Sequence, residues 1–186
     1  MPNLNFFVRY YADLSIIKIR YEHRDLYFVL KCNTYLQLIA GDSTQFSTMK
    51  DLIYQFITQQ KLAVVSTINS HCKPESALVG IAVSINLEII FDTVTASRKY
   101  QNILHNPNVS VVVGWDDEIT VQYEGYATVL GKDSDADNMR EIYYRAYPDG
   151  RERADTWPGL VHIKISPKWI RYNNFNEPTA IKEFTF

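Results

Sequence analysis

The chain has 186 residues, enough for one domain with a buried core or for one domain plus an appendage. A content of 46% hydrophobic and 22% charged residues excludes a chain that is disordered throughout. Nineteen basic residues against twenty-one acidic ones leave a net charge of −2. No global field therefore draws the protein to nucleic acid or to an anionic membrane, and any anion site has to be a local cluster. The two cysteines, Cys32 and Cys72, form no framework or metal knuckle and are expected as free thiols. No apolar run reaches the roughly 18 residues needed to span a bilayer. Met1-Pro2-Asn3-Leu4-Asn5 lacks the basic start and cleavage site of a secretory signal, so the expected compartment is the cytoplasm.

In chain order, residues 1–45 read as an N-terminal extension of unknown role. Ser15–Tyr21 and Leu26–Leu30 are strand-like, and Leu36–Ala40 is apolar again. A small β appendage, a cover for a partner subunit and an extension with little fixed structure are all compatible with this pattern. From residue 46 the pattern sharpens. Ser47 is placed to cap a helix with Leu52, Ile53, Phe56 and Ile57 on one face. Strands are expected at Leu62–Ile68, about Glu75–Val83, Leu87–Thr93, Val109–Trp115 and Ile119–Leu130. Ser97–Asn106 predicts a short helix stopped by Pro107. The acidic run Asp133–Asp137 suits the start of a third helix, ending near Tyr147. Arg151–Gly159 reads as a polar loop, and Leu160–Ile165 and Trp169–Tyr172 as a strand pair split by Ser166-Pro167. Mostly antiparallel strands with short connections point to a barrel rather than a parallel sheet.

The chemistry concentrates in Phe91-Asp92-Thr93-Val94-Thr95-Ala96-Ser97-Arg98-Lys99. A strand ends at Thr93, Ser97 caps a helix, and two cations fall in its first turn. The helix dipole disfavours cations there by a few tenths to about 1 kcal/mol, so two together point to an anion that offsets the cost. Free backbone N–H groups, a hydroxyl, a guanidinium and an ammonium make a phosphate cradle. A solvated Arg-Lys pair on an exposed helix is the competing reading of this motif taken alone.

The wider register adds Pro74-Glu75-Ser76-Ala77-Leu78-Val79, Asn106-Pro107-Asn108-Val109-Ser110-Val111 and Tyr123-Glu124-Gly125-Tyr126-Ala127. With these in order, the segment from about 47 to 175 closely resembles the pyridoxamine 5′-phosphate oxidase-like family. The resemblance implies a mainly β fold, a six-stranded antiparallel split barrel of the FMN-binding type with flanking helices. The split-barrel domain is expected over residues 46–178, with 179–186 as a C-terminal tail. It also implies a homodimer with FMN in the grooves between protomers. Carried over by position, Thr93 contacts the flavin, and Ser97, Arg98 and Lys99 hold its phosphate. The strand Glu75, Ser76, Ala77, Leu78 runs along the ring, and Trp169 and Arg171 reach the site from the closing strand. No side-chain catalytic residue is implied; hydride passes between a small-molecule substrate or NAD(P)H and the flavin.

The chain departs from the family where it has Ala77 and Ala82, at positions that carry Arg and Lys in true pyridoxamine-phosphate oxidases. Losing two cations from a doubly phosphorylated site disfavours vitamin B6 phosphate as substrate. The general-stress and flavin-reductase branch is the better match. F420 and haem remain alternative cofactors, and a non-catalytic binding or sequestering protein is the alternative to an oxidoreductase. The four histidines show no ligand spacing, so no metal site is expected. His71-Cys72 lacks an orienting third group for nucleophilic catalysis. Asp116-Asp117-Glu118 reads as a hairpin turn, and Trp115 as a core or dimer-interface residue.

Overall fold

The computed structural model describes residues 5–11, 14–21, 24–31, 48–176 and 180–186 in two compact units, Met1–Ser47 and Thr48–Phe186. The smaller unit is a three-stranded antiparallel sheet of β1 (Asn5–Tyr11), β2 (Leu14–Tyr21) and β3 (Arg24–Lys31) in that order. The strand-like segments Ser15–Tyr21 and Leu26–Leu30 fall within β2 and β3. The apolar segment Leu36–Ala40 and Cys32 lie outside the described residues.

The larger unit begins with α1 (Met49–Gln59). Its cap is Thr48 rather than Ser47: the Thr48 hydroxyl accepts from the Asp51 N–H while the Asp51 carboxylate accepts from the Thr48 N–H. Ile53 and Ile57 are buried, as the apolar spacing requires. The strands are β4 (Leu62–Ile68), β5 (Pro74–Gly80), β6 (Ala82–Val83), β7 (Ile89–Val94), β8 (Asn108–Val113), β9 (Ile119–Val129), β10 (Leu160–Asn174) and β11 (Ala180–Thr185). Three more helices flank them: α2 (Arg98–His105), α3 (Ser134–Ala146) and α4 (Gly150–Thr156).

The sheet runs β5-β4-β8-β9-β10-β7-β6, every pair antiparallel, with β11 added to β10. Its two ends, β5 and β6, are separated in sequence by Ile81 alone, so the chain itself closes the curl. This is the split barrel. The expected strand Glu75–Val83 is divided at that point because the Ile81 N–H turns to the Lys61 carbonyl, 3.0 Å away, as the chain passes from one sheet end to the other.

Alternation along β8 and β9 sends every second residue inward, with Val109, Val111, Val113, Val121, Tyr123 and Ala127 all buried. The Tyr123 hydroxyl lies 3.0 Å from the Leu87 carbonyl and 2.9 Å from the Ile165 carbonyl, where it donates to one or the other. Its surroundings are dry, and burial pushes its pKa far above the usual phenol value.

Three sequence expectations change. Arg151–Gly159 is not a loop throughout, because Gly150–Thr156 forms α4. Ser166-Pro167 does not split the last strand: β10 continues through it, with a register shift against β9 between Pro167 and Trp169. A proline has no N–H to give the ladder and is tolerated at such an irregularity. The C-terminal segment, given no element from sequence, pairs as β11 with Trp169–Asn174. Trp115 is half exposed in the protomer and so lies outside its core. Asp116–Glu118 forms the expected turn, with positive φ at Asp117 and Glu118. No helix among the described residues is long and apolar enough to cross a membrane.

Candidate functional site

The cradle is built where β7 hands the chain to α2. The Ser97 N–H donates to the Val94 carbonyl, closing a tight turn, and the Ser97 hydroxyl accepts from the Tyr100 N–H to cap α2. The turn is pinned from the next strand by the Thr95 N–H, which donates to the Gly159 carbonyl at 2.9 Å. Gly159 has φ +73°, and a Cβ there would lie 2.5 Å from the Thr95 hydroxyl. Only glycine fits that close approach.

Three of the expected side chains converge directly. The Thr93 and Ser97 hydroxyls are 2.9 Å apart, and the Lys99 ammonium donates to the Thr93 hydroxyl at 3.3 Å. Thr93 is buried, so its hydroxyl is held in place by packing as well as by these bonds. Beside them Arg98 reaches out, its side chain 80% exposed, to the Glu75 carboxylate at 3.3 Å. A cavity of about 160 Å³ lies among Thr67, Glu75, Ser76, Ala77, Arg98 and Lys99. It has room for a phosphate group and not for a tricyclic ring. A larger ligand would have to extend along β5, whose outer backbone edge is unpaired among the described residues because β5 ends the sheet.

Glu75 is the centre of a second network that sequence reading did not assign. Its carboxylate accepts from Asn102 Nδ2 at 2.9 Å and Asn69 Nδ2 at 3.1 Å, besides Arg98. Those two amides hold its pKa below the ordinary carboxylate value against the opposing effect of desolvation, and the Arg98 charge adds the least. Asn102 is buried and also donates to the Thr67 hydroxyl at 3.0 Å. A faint signal of this exists in the sequence. Thr67 interrupts the inward series Ala63, Val65 on β4, and Asn102 stands beside Ile103 on the buried side of α2.

Trp169 and Arg171 do not join the cradle of their own chain. Thr93 faces Val161 across the β7–β10 pair, and Trp169 lies about 26 Å further along β10, Arg171 about 33 Å, at 3.3 Å per residue. There Arg171 is ion-paired with Glu183 on β11 and stacks over Trp169, its guanidinium carbon 5.4 Å from the ring centre. Across β5, β4, β8 and β9 one outer face carries Leu78, Leu62, Val112 and Tyr126, all substantially exposed in the protomer. His71 and Cys72 sit in the exposed β4–β5 turn.

Comparison with known proteins bears on the family and the fold. A family model described as Pyridoxamine 5′-phosphate oxidase matches residues 49–174. Among solved structures, General Stress Protein 26 from Bacillus anthracis is 24% identical over 74% of this chain and 98% of its own, with a TM-score of 0.58. A heme binding protein from Mycobacterium smegmatis is 12% identical over 71% of this chain and 56% of its own, at 0.61. A pyridoxamine 5′-phosphate oxidase-related, FMN binding protein from Nostoc punctiforme is 10% identical over 68% of this chain and 86% of its own, at 0.52. These likenesses establish the fold. No curated protein matches the chain.

Proposed function

The chain belongs to the pyridoxamine 5′-phosphate oxidase family, and on that footing we propose that it binds FMN as an oxidoreductase of a small-molecule substrate, in a site completed by a second copy of itself. The observation that carries this reading is the convergence of Thr93, Ser97 and Lys99 beside a cavity of phosphate size lined by Arg98 and Lys99, next to a strand edge unpaired among the described residues. When bound, FMN supplies hydride chemistry between NAD(P)H or a reduced small molecule and an acceptor.

The chain's own residues bind and orient. Lys99 and Arg98 give charge-assisted bonds to the phosphate, and the Thr93 and Ser97 hydroxyls fix its position. The backbone N–H groups of β5 that face away from β4 are donors available to the ring's polar edge. Ala77 and Ala82 supply no charge for a second phosphate, which supports a substrate without one.

The protomer by itself leaves the site incomplete, and a second copy would complete it. The protomer's cradle accommodates one phosphate, its Trp169 and Arg171 lie far along β10, and the face that carries Leu62, Leu78, Val112 and Tyr126, interspersed with Ser66, Ser110, Gln122 and Glu124, leaves those four large side chains open. Burying that face against its counterpart would cover those side chains and bring one protomer's β10 toward the other's cradle.

The test is an absorption spectrum of concentrated protein after FMN addition and desalting, run beside its size in solution. A retained flavin spectrum on a dimer is the expected result. A monomer, or a colourless protein, overturns the reading; F420 and haem announce themselves by a blue-shifted band and a Soret band. A mixing test locates the shared site. Trp169→Ala protomers combined with Arg98→Ala/Lys99→Ala protomers should regain FMN binding that neither pure protein has.

A further inference from the structure

Glu75 places a negative charge inside a site whose other functional side chains point to an anion. Its two oxygens are held unequally. Asn102 and Asn69 fix the carboxylate at 2.9 and 3.1 Å, and Asn102 is itself buried and tied to Thr67 at 3.0 Å. Arg98 is the loose member: its bond to Glu75 is 3.3 Å long and its side chain is 80% exposed, against 20% for Glu75. An incoming phosphate therefore meets an anchored carboxylate and a guanidinium free to move. With Glu75 counted, Arg98 and Lys99 give the cradle a formal charge of +1, not +2, and Ala77 and Ala82 add none.

We propose that Glu75 is an internal anion that competes with the ligand's phosphate for Arg98 and thereby sets how tightly the cradle binds. This rests on the phosphate reading of the cradle given above. In the free protein Arg98 is parked on Glu75; on binding it turns to, or shares itself with, the phosphate. The carboxylate stays behind on its amides, so the α2–β5 contact survives while the arginine changes partner. The carboxylate's lowered pKa keeps the competitor charged throughout the neutral range. Exposed ion pairs of this kind shift an equilibrium by about two- to fivefold, which sets the scale of the effect.

The experiment measures dissociation constants for FMN and for riboflavin, by flavin fluorescence, with wild-type, Glu75→Gln, Arg98→Ala and doubly substituted protein. Gln keeps an oxygen for Asn102, puts an amide nitrogen where Asn69 and Arg98 now donate, and removes the charge. Glu75→Gln should bind FMN about two- to fivefold more tightly and riboflavin unchanged, and the gain should vanish in the Arg98→Ala background. Unchanged or weaker FMN binding overturns the proposal, as does an equal gain without Arg98. A second measurement needs no variant. The Glu75 carboxyl ¹³C resonance of the wild-type protein should move when inorganic phosphate is added at constant ionic strength, and a resonance that does not move overturns the competition. A wild-type protein that binds phosphate but not FMN defeats the flavin reading alone, because the phosphate arm still decides the role of Glu75.

Discussion

Two arginine–carboxylate pairs sit on either side of one strand, and they do different work. Thr93 and Asp92 are neighbours on β7 and therefore point to opposite faces. On the Thr93 side, Arg98 meets Glu75 with its side chain 80% exposed. On the Asp92 side, Arg153 from α4 meets Asp92 at 3.0 Å with side chains only 18% and 20% exposed. Arg153 also pairs with Asp149 and donates to the Tyr143 hydroxyl at 3.4 Å. The chemistry of the two pairs is the same and the water is not. The exposed arginine can exchange its partner for a ligand at little cost, whereas the covered one fastens α4 to the barrel and would leave a stranded charge if it moved. Burial, rather than residue type, separates site from scaffold here.

Substitutions can break that separation or sharpen it. Arg98→Ala/Lys99→Ala should have the largest effect, weakening FMN at least about a hundredfold in a fluorescence titration, since each charge-assisted bond contributes about 1.5–3 kcal/mol and exposure discounts the upper end. Thermal stability should barely change; a large loss of it would mean the cradle is scaffold after all. The reverse holds for Arg153→Met. Stranding Asp92 should cost about 2–3 kcal/mol of stability in chemical denaturation while FMN affinity moves less than about twofold.

Asn102→Ala lies between, because Asn102 is the buried member of the exposed network. It should cost about 1–2 kcal/mol of stability and also weaken FMN by a few fold, through the loss of Glu75's anchor. An effect on stability alone would place Asn102 with the scaffold.

The smallest effect belongs to acid. His162 is buried beside Asp92 with its Nε2 unpartnered, edge-on to the rings of Tyr143 and Tyr144 at 5.3 Å each. Burial, with the charges of Arg140 and Arg153, holds its pKa below 6.5 against the pull of Asp92. Below pH 6.5 the unfolded chain takes up a proton that the folded one refuses. His162 therefore contributes stability that is whole above that pH and lost as pH falls toward the folded value. Denaturation curves between pH 7.5 and 5.5 should show this slope, and His162→Phe should flatten it. An unchanged slope would assign the acid sensitivity elsewhere.

The sequence by itself determined whatever is settled within a few residues. Alternation defined β4, β8 and β9, the caps Ser97 and Asp133 started α2 and α3, and Thr93, Ser97, Arg98 and Lys99 were legible as one cluster. One turn and the first turn of one helix bring those four together, so local dihedrals and capping suffice. Tertiary structure decided what depends on distant partners. Arg98 finds Glu75 across 23 residues and Asn102 finds Thr67 across 35. Gly150–Thr156 carries no clear apolar period and is held as a helix against the barrel by Arg153 reaching Asp92 across 61 residues. β10 runs through Ser166-Pro167 because β9 pairs with it on both sides of the proline, the register shifting just after it. The separation of Trp169 and Arg171 from their own cradle is likewise a matter of where a long strand ends, and strand length is set by the partners it meets rather than by the residues it contains.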